Sequence, residues 1–287
     1  HRLAPVAHVR GRLHRGAAGV HGHLARRPGA QRLQRPAQSV EDLHDADGIS
    51  GGYPAQVLPA PRRPRIIAHR GASTAFPENT LAAFRGAAAL GADGVELDVR
   101  RTADGAAVVH HDAVIPGIGP IVEQTAAALR HRAPRVPSLA AALDACGRLW
   151  VDVEVKNSPA DPDWDPADGL VARVVAALRE WGRADAVLLT SFNPATITRA
   201  RALAPELATG WLVEAEPAAA AVPWVADGGH AALLPHAATL AGPVAAATSR
   251  AAHRAGIELL TWTVDDPVEA RRLAAAGLDG IITNRPD

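Results

Sequence analysis

Over residues 65–287 the sequence predicts an α/β fold, a (β/α)8 barrel of the TIM type. Two observations carry this expectation. From Arg65 onward, short aliphatic or β-branched runs alternate with Ala/Leu/Arg stretches of helical period, the pattern of a parallel sheet built from βα units. Eight such runs can serve as barrel strands, and 287 residues accommodate one barrel with an appendage.

Taken in order, strands are expected at 65–68, 94–99, 149–155, 187–191, 209–213, 232–235, 258–264 and 280–283. Helices are expected at 80–90, 138–145, 167–181, 194–203, 218–226, 243–255 and 267–276, several of them opened by proline, whose missing N–H is harmless in a first turn. A ninth apolar run, 106–110, follows the second strand after only about six residues, whereas a parallel crossover needs a dozen or more. It is therefore assigned to an insertion of about 101–137 that leaves the second strand, folds over the barrel mouth as a hairpin or loop, and rejoins at the helix beginning at Ser138.

Residues 1–64 show no sustained strand or helix period, only Arg, His, Pro, Gly and Ala in irregular mixture, and are expected to form a disordered, low-complexity N-terminal extension. The extension holds ten Arg against four acidic residues, so the formal net charge of zero sums a basic segment and an acidic remainder. Its six His residues lack Cys or carboxylate companions at ligand spacing and are read as solvated chain. The barrel is thus not a generally basic nucleic-acid surface, and no apolar run reaches transmembrane length. Arg10, Arg12, His14 and Arg15 interrupt the one candidate signal core, which leaves a cytoplasmic location as the expectation. The single cysteine, Cys146, excludes an internal disulfide and a cysteine-rich zinc site, and its apolar helical context marks it as core.

Active sites of such barrels lie at the carboxyl ends of the strands. There the first strand ends in His69-Arg70-Gly71, the second carries Glu96 and Asp98, and the third carries Glu154 and Lys156. Residues two apart share a strand face, so Glu96, Asp98 and Glu154 can converge inside the barrel. Converging buried carboxylates repel and lose solvation, a conflict that one divalent cation resolves; oxygen-only ligation favours Mg²⁺ or Ca²⁺, with Mn²⁺ also allowed, over zinc. Arg70 and Lys156 add positive charge suited to phosphate, or else form salt bridges with those carboxylates. Phosphodiester cleavage needs one proton taken from the attacking oxygen and one given to the leaving alcohol, tasks for two histidines. His69 is one; His111, or its neighbour His110, in the insertion is the other.

The ordered set His69-Arg70-Gly71, Pro77-Glu78-Asn79-Thr80, Glu96-Leu97-Asp98-Val99 and His111-Asp112 resembles the glycerophosphodiester phosphodiesterase family. The resemblance continues through Pro137-Ser138-Leu139, Glu154-Val155-Lys156, Ser191-Phe192, Trp262-Thr263-Val264 and Asp279-Gly280-Ile281-Ile282-Thr283, covering essentially all of 65–287. It implies metal ligands at Glu96, Asp98 and Glu154, acid/base histidines at His69 and His111, phosphate contacts at Arg70 and Lys156, and a pocket wall at Trp262. His111 is preferred to His110 because the family's histidine directly precedes Asp, and Glu78 is placed in the active site to order either Arg70 or the metal. The implied partner is a small-molecule glycerophosphodiester, cleaved to sn-glycerol 3-phosphate and an alcohol. Two departures stand out: Ala113–Pro120 is shorter and more apolar than the family's polar stretch, and Asn284 stands where Asp is common. The alternatives are lysophospholipase D-type hydrolysis, with residues 114–118 meeting an acyl chain, and a non-catalytic barrel that binds a phosphorylated ligand.

Overall fold

The computed structural model describes residues 63–287, so the extension expected at 1–64 lies, but for its last two residues, outside the described residues. In chain order the elements are β1 (Arg65–Ala68), α1 (Leu81–Ala89), β2 (Gly94–Arg101), β3 (Ala107–Val109), β4 (Val114–Ile115), β5 (Gly119–Pro120), α2 (Ala126–Arg132), α3 (Leu139–Cys146) and β6 (Trp150–Val155). There follow α4 (Gly169–Trp181), β7 (Val187–Ser191), α5 (Pro194–Leu203), β8 (Ala208–Val213), α6 (Ala218–Asp227), β9 (Ala232–Pro235), α7 (Val244–Arg254), β10 (Glu258–Thr261), α8 (Pro267–Ala275) and β11 (Gly280–Thr283). The parallel order β1-β11-β10-β9-β8-β7-β6-β2 closes on itself through β1–β2 pairing, which makes the eight-stranded barrel. Each of the eight expected strands is one of its staves.

Strand alternation sorts the core into two layers. Ile67, Leu188, Leu212, Leu234, Leu260 and Ile282 form a cluster of their own at the barrel centre, while their strand neighbours Ala68, Val187, Leu189, Leu233, Leu259 and Ile281 join a larger cluster with the helices. Cys146 belongs to the larger cluster, and burial pushes its thiol up to about 12, as expected of a packing cysteine. Helix starts follow local chemistry: the side chains of Thr80, Ser138, Asn193 and Asp266 accept first-turn N–H groups, and Pro194 and Pro267 follow two of these caps.

The run expected in the insertion is β3, a hairpin partner lying antiparallel to the end of β2, with Arg100 opposite Val108. The insertion also contains the short β4–β5 ladder and α2, which had no counterpart among the expected helices. These pieces share a small core of Val108, Ile115, Ile121, Leu129 and Ala133. One strand boundary needs correction: the seventh barrel strand ends at Thr261, not 264. Trp262 keeps one parallel bridge to His236, its carbonyl accepting from Ala237 N at 2.8 Å, and the ladder stops there, which leaves Trp262 at the barrel mouth.

His230, 1% exposed, gives the fold a pH dependence. Its Nδ1 lies 2.8 Å from Thr209 Oγ1, its ring stacks on Trp224 at 5.1 Å, and burial, with Arg201 nearby, lowers its pKa to about 3. The folded state thus keeps His230 neutral while the unfolded state protonates it near 6.5, so this contribution is complete above that pH and is lost as pH falls. The expected cost at pH 5 is about 2 kcal/mol. Denaturant unfolding of wild type and His230→Phe at pH 8 and pH 5 should show it as the difference between the two pH slopes, because Asp152 and Glu154, whose raised pKa values make the fold gain stability as pH falls over the same range, are common to both proteins.

Candidate active site

The turn after β1 sets the first part of the site. Arg70 adopts φ 56° and Gly71 φ 81°, and a side chain on Gly71 would come within 2.7 Å of Ala83 backbone, so only glycine fits there. This turn aims the Arg70 N–H at Glu96 Oε2 (2.8 Å) and brings His69 Nε2 to 3.9 Å from the same oxygen. Asn79, also left-handed at φ 56°, donates from Nδ2 to Asp98 Oδ2 at 2.7 Å, and its N–H is taken by the Arg70 carbonyl at 2.9 Å. The Pro77–Thr80 segment thus fastens the first turn to the second strand.

Register does the rest. In the β2–β6 pair Glu96 lies beside Asp152 and Asp98 beside Glu154, and all four side chains are buried. Glu96, Asp98 and Glu154 offer oxygens within 4.8 Å of one another, as strand alternation led one to expect. Asp152 belongs to the same row, two residues before Glu154, and sequence reasoning overlooked it although the spacing that relates Glu154 to Lys156 extends to it. Lys156 Nζ lies 2.7 Å from Glu154 and 2.9 Å from Asp98, and Arg70 Nε lies 3.4 Å from Asp98. In this structure both cations are therefore engaged by carboxylates, the salt-bridge alternative for Lys156 included.

Those pairings divide the carboxylates. Burial raises the pKa of Asp98, but Lys156 and Arg70 more than offset it and hold the group well below the usual range. Burial pushes Glu154 up to about 7 despite Lys156, and Asp152 up to about 8. Glu96 is raised well above the usual carboxylate value by burial and by Asp98, Glu154 and Asp152. Glu96 Oε1 and Asp152 Oδ2 accept no hydrogen bond among the described residues. A buried all-oxygen cluster with an idle acceptor fits a hard divalent cation, which would supply the missing positive charge.

A cavity of about 200 Å³ opens above this cluster. His69, Arg70, Glu96, Glu154, Lys156, His111 and Trp262 all reach it, joined by Phe192, Leu212 and Glu214. Trp262 meets Phe192 edge-on at 5.3 Å and His236 at 4.9 Å, forming an aromatic wall. Two sequence-selected residues stay outside it: Asp98, 1% exposed, is covered by Asn79, Arg70 and Lys156, and Glu78 holds Arg70 Nη1 with both carboxylate oxygens at 3.0 Å, away from the acidic cluster.

The two adjacent histidines part company. His111 faces the cavity, with Nδ1 2.7 Å from Asp112 Oδ1, whereas His110 lines a separate cavity of about 380 Å³ between the insertion and the Pro77–Thr80 segment. Buried Arg100 fixes this choice: its Nε donates to the His111 carbonyl at 2.6 Å and its Nη1 to Asp163 at 2.7 Å. Burial, with Arg70 close by, lowers the pKa of His69; burial and Lys156 lower that of His111 although Asp98 opposes them. Both imidazoles are thereby biased toward the neutral form.

Comparisons with known proteins agree with this geometry. The family model described as the glycerophosphoryl diester phosphodiesterase family matches residues 69–287. A glycerophosphodiester phosphodiesterase of Caldanaerobacter subterraneus subsp. tengcongensis is 31% identical over 242 residues, covering 77% of this chain and 94% of that protein. The structure of an Oleispira antarctica phosphodiesterase in complex with the product sn-glycerol-3-phosphate superposes with a TM-score of 0.68 at 27% identity, covering 78% of this chain and 94% of that one. A glycerophosphodiester phosphodiesterase from Agrobacterium tumefaciens gives a TM-score of 0.64 at 27% identity over 78% and 97% of the two chains. With the strand-end motifs, the closed barrel and a match over residues 69–287, the chain belongs to the glycerophosphoryl diester phosphodiesterase family, whose members are phosphoric diester hydrolases.

Proposed function

We propose that this protein hydrolyses glycerophosphodiesters to sn-glycerol 3-phosphate and an alcohol, with a divalent cation held by Glu96, Asp98 and Glu154. The observation that carries the reading is a cluster of three buried carboxylates, Glu96, Asp98 and Glu154, of which Glu96 and Glu154 open with two cations and two histidines onto one cavity at the carboxyl end of the barrel. A bound cation supplies a fixed positive charge for the negative charge that develops on phosphate oxygens. Arg70, braced by Glu78, presents its guanidinium fork to the phosphate, and Lys156, freed in part from Glu154 and Asp98, adds a second positive group. His69 and His111 exchange protons with the attacking oxygen and the leaving alcohol. Phe192 and Trp262 cover the apolar edge of the substrate.

Among the described residues no helix is long and apolar enough to cross a membrane. The test is a screen for the released alcohol over glycerophosphocholine, glycerophosphoethanolamine and a lysophospholipid with Mg²⁺, Ca²⁺ or Mn²⁺, and Glu96→Ala as control. The expected result is metal-dependent turnover of a glycerophosphodiester, lost in the variant. Preferred turnover of the lysophospholipid would transfer the reading to lysophospholipase D chemistry, and no turnover of any diester would leave a binding barrel.

A further inference from the structure

Beyond the acidic cluster, the loops after β10 and β11 meet behind His69. His69 Nδ1 lies 2.7 Å from Asn284 Oδ1, and Asn284 Nδ2 donates to Asp265 Oδ2 at 2.7 Å. The other oxygen of Asp265 accepts the Asn284 N–H at 2.8 Å and the Thr283 hydroxyl at 3.0 Å. An amide side chain can turn either end toward a neighbour, so what fixes Asn284 decides what His69 faces. A carboxylate only accepts, and it therefore claims the amide NH₂ and leaves Oδ1 for the histidine. Burial acts to raise the pKa of Asp265, but hydrogen bonds from Asn284 and Thr283 outweigh it and keep the group ionised. Ser73 Oγ donates to the same Oδ1 at 3.1 Å; a hydroxyl can serve either orientation, so the polarity of the chain is set by Asp265.

The geometry points to Asp265 and Asn284 as positioning residues that hold His69 in its Nδ1–H tautomer, with the Nε2 lone pair left to the cavity as the proton acceptor. Asp265 never touches His69, yet it dictates the tautomer through one amide. The opposite tautomer would place a proton on Nε2 and remove the base. The inference deepens the proposed function, on which the role of Nε2 rests, while the tautomer itself can be read without turnover.

Exchanging carboxylate and amide between positions 265 and 284 gives a diagnostic pair of variants. In Asp265→Asn the Thr283 hydroxyl and the Asn284 N–H still demand the oxygen of the substituted side chain, so its new NH₂ must face Asn284. Asn284 then turns its own oxygen toward that NH₂ and its own NH₂ toward His69 Nδ1, which becomes an acceptor. Adding Asn284→Asp restores an acceptor-only group between two donors, and the original tautomer returns. Long-range ¹H–¹⁵N correlation spectra of histidine-labelled protein, with the His69 signals assigned by their absence in His69→Gln, read the tautomer directly. Expected are an Nδ1–H form in the wild type, an Nε2–H form in Asp265→Asn with kcat lower by about 10- to 100-fold and KM within about twofold, and recovery of both in the double variant. An unchanged His69 tautomer in Asp265→Asn, or a double variant no better than the single one, would overturn the inference. If the tautomer switches and returns but no variant, wild type included, hydrolyses a diester, the positioning stands and the proposed function fails.

Discussion

His69→Ala and His111→Ala should each lower kcat for a glycerophosphodiester by a factor of about 10²–10⁴, the usual range for removing one general acid or base. KM should change little, because substrate positioning comes from Arg70, Lys156 and the cation site, which neither substitution touches directly. The double variant should lose much less than the product of the two single losses, since acid and base serve the same bond exchange and the remaining partner is of little use alone. His110→Ala is the internal control. Its imidazole hydrogen-bonds the Asp112 carbonyl at 2.8 Å and faces the other cavity, so activity should stay within about threefold of wild type. Steady-state kinetics on purified variants decide the matter. A large loss in His110→Ala with little in His111→Ala would reverse the assignment, and small losses in both His69→Ala and His111→Ala would remove the two-histidine mechanism.

That control exists because the neighbouring histidines could not be separated by chemistry in the sequence. What separates them is Arg100, the residue after Val99 in β2, which grips the His111 carbonyl from inside the protein. The barrel itself was legible because each stave is a short apolar run between helical stretches. Its carboxylates were legible because alternation in one strand and pairing with the next bring Glu96, Asp98 and Glu154 to one face. The end of β10 was not: Trp262 and Val264 are apolar enough to continue a strand, but the ladder runs out in a lone bridge between Trp262 and His236. α2 escaped notice because it buries a single side chain, Leu129, and has no apolar stripe to betray it. The Asp265–Asn284–His69 chain was hidden for a different reason. His69 and Asn284 come from opposite ends of the barrel sequence, and only closure of β11 against β1 makes them neighbours.

The second large effect is expected at Lys156. Its ammonium sits between Glu154 and Asp98 in a place where Glu96 and Asp152 are also buried, so it is the side chain that most directly neutralises the cluster. Its own pKa reflects this: burial acts to lower it, and the two carboxylates raise it above the ordinary lysine value. Lys156→Met keeps most of the stem and removes the charge, leaving buried carboxylates without their partner. In the metal-free protein this should cost about 3–5 kcal/mol, the range for breaking a buried ion pair from one side. A divalent cation should then restore much of the loss, because an ion that binds only the folded state stabilises it by mass action, about 2.7 kcal/mol at a hundredfold excess over Kd. The wild type should gain less from the same ion, since there the ion competes with an ammonium already in place. Thermal unfolding with chelator and with Mg²⁺, Ca²⁺ or Mn²⁺ measures all four quantities without reference to turnover. A variant whose Tm is indifferent to every ion would mean that the three carboxylates hold no cation, and that Lys156 alone is what lets them share the barrel.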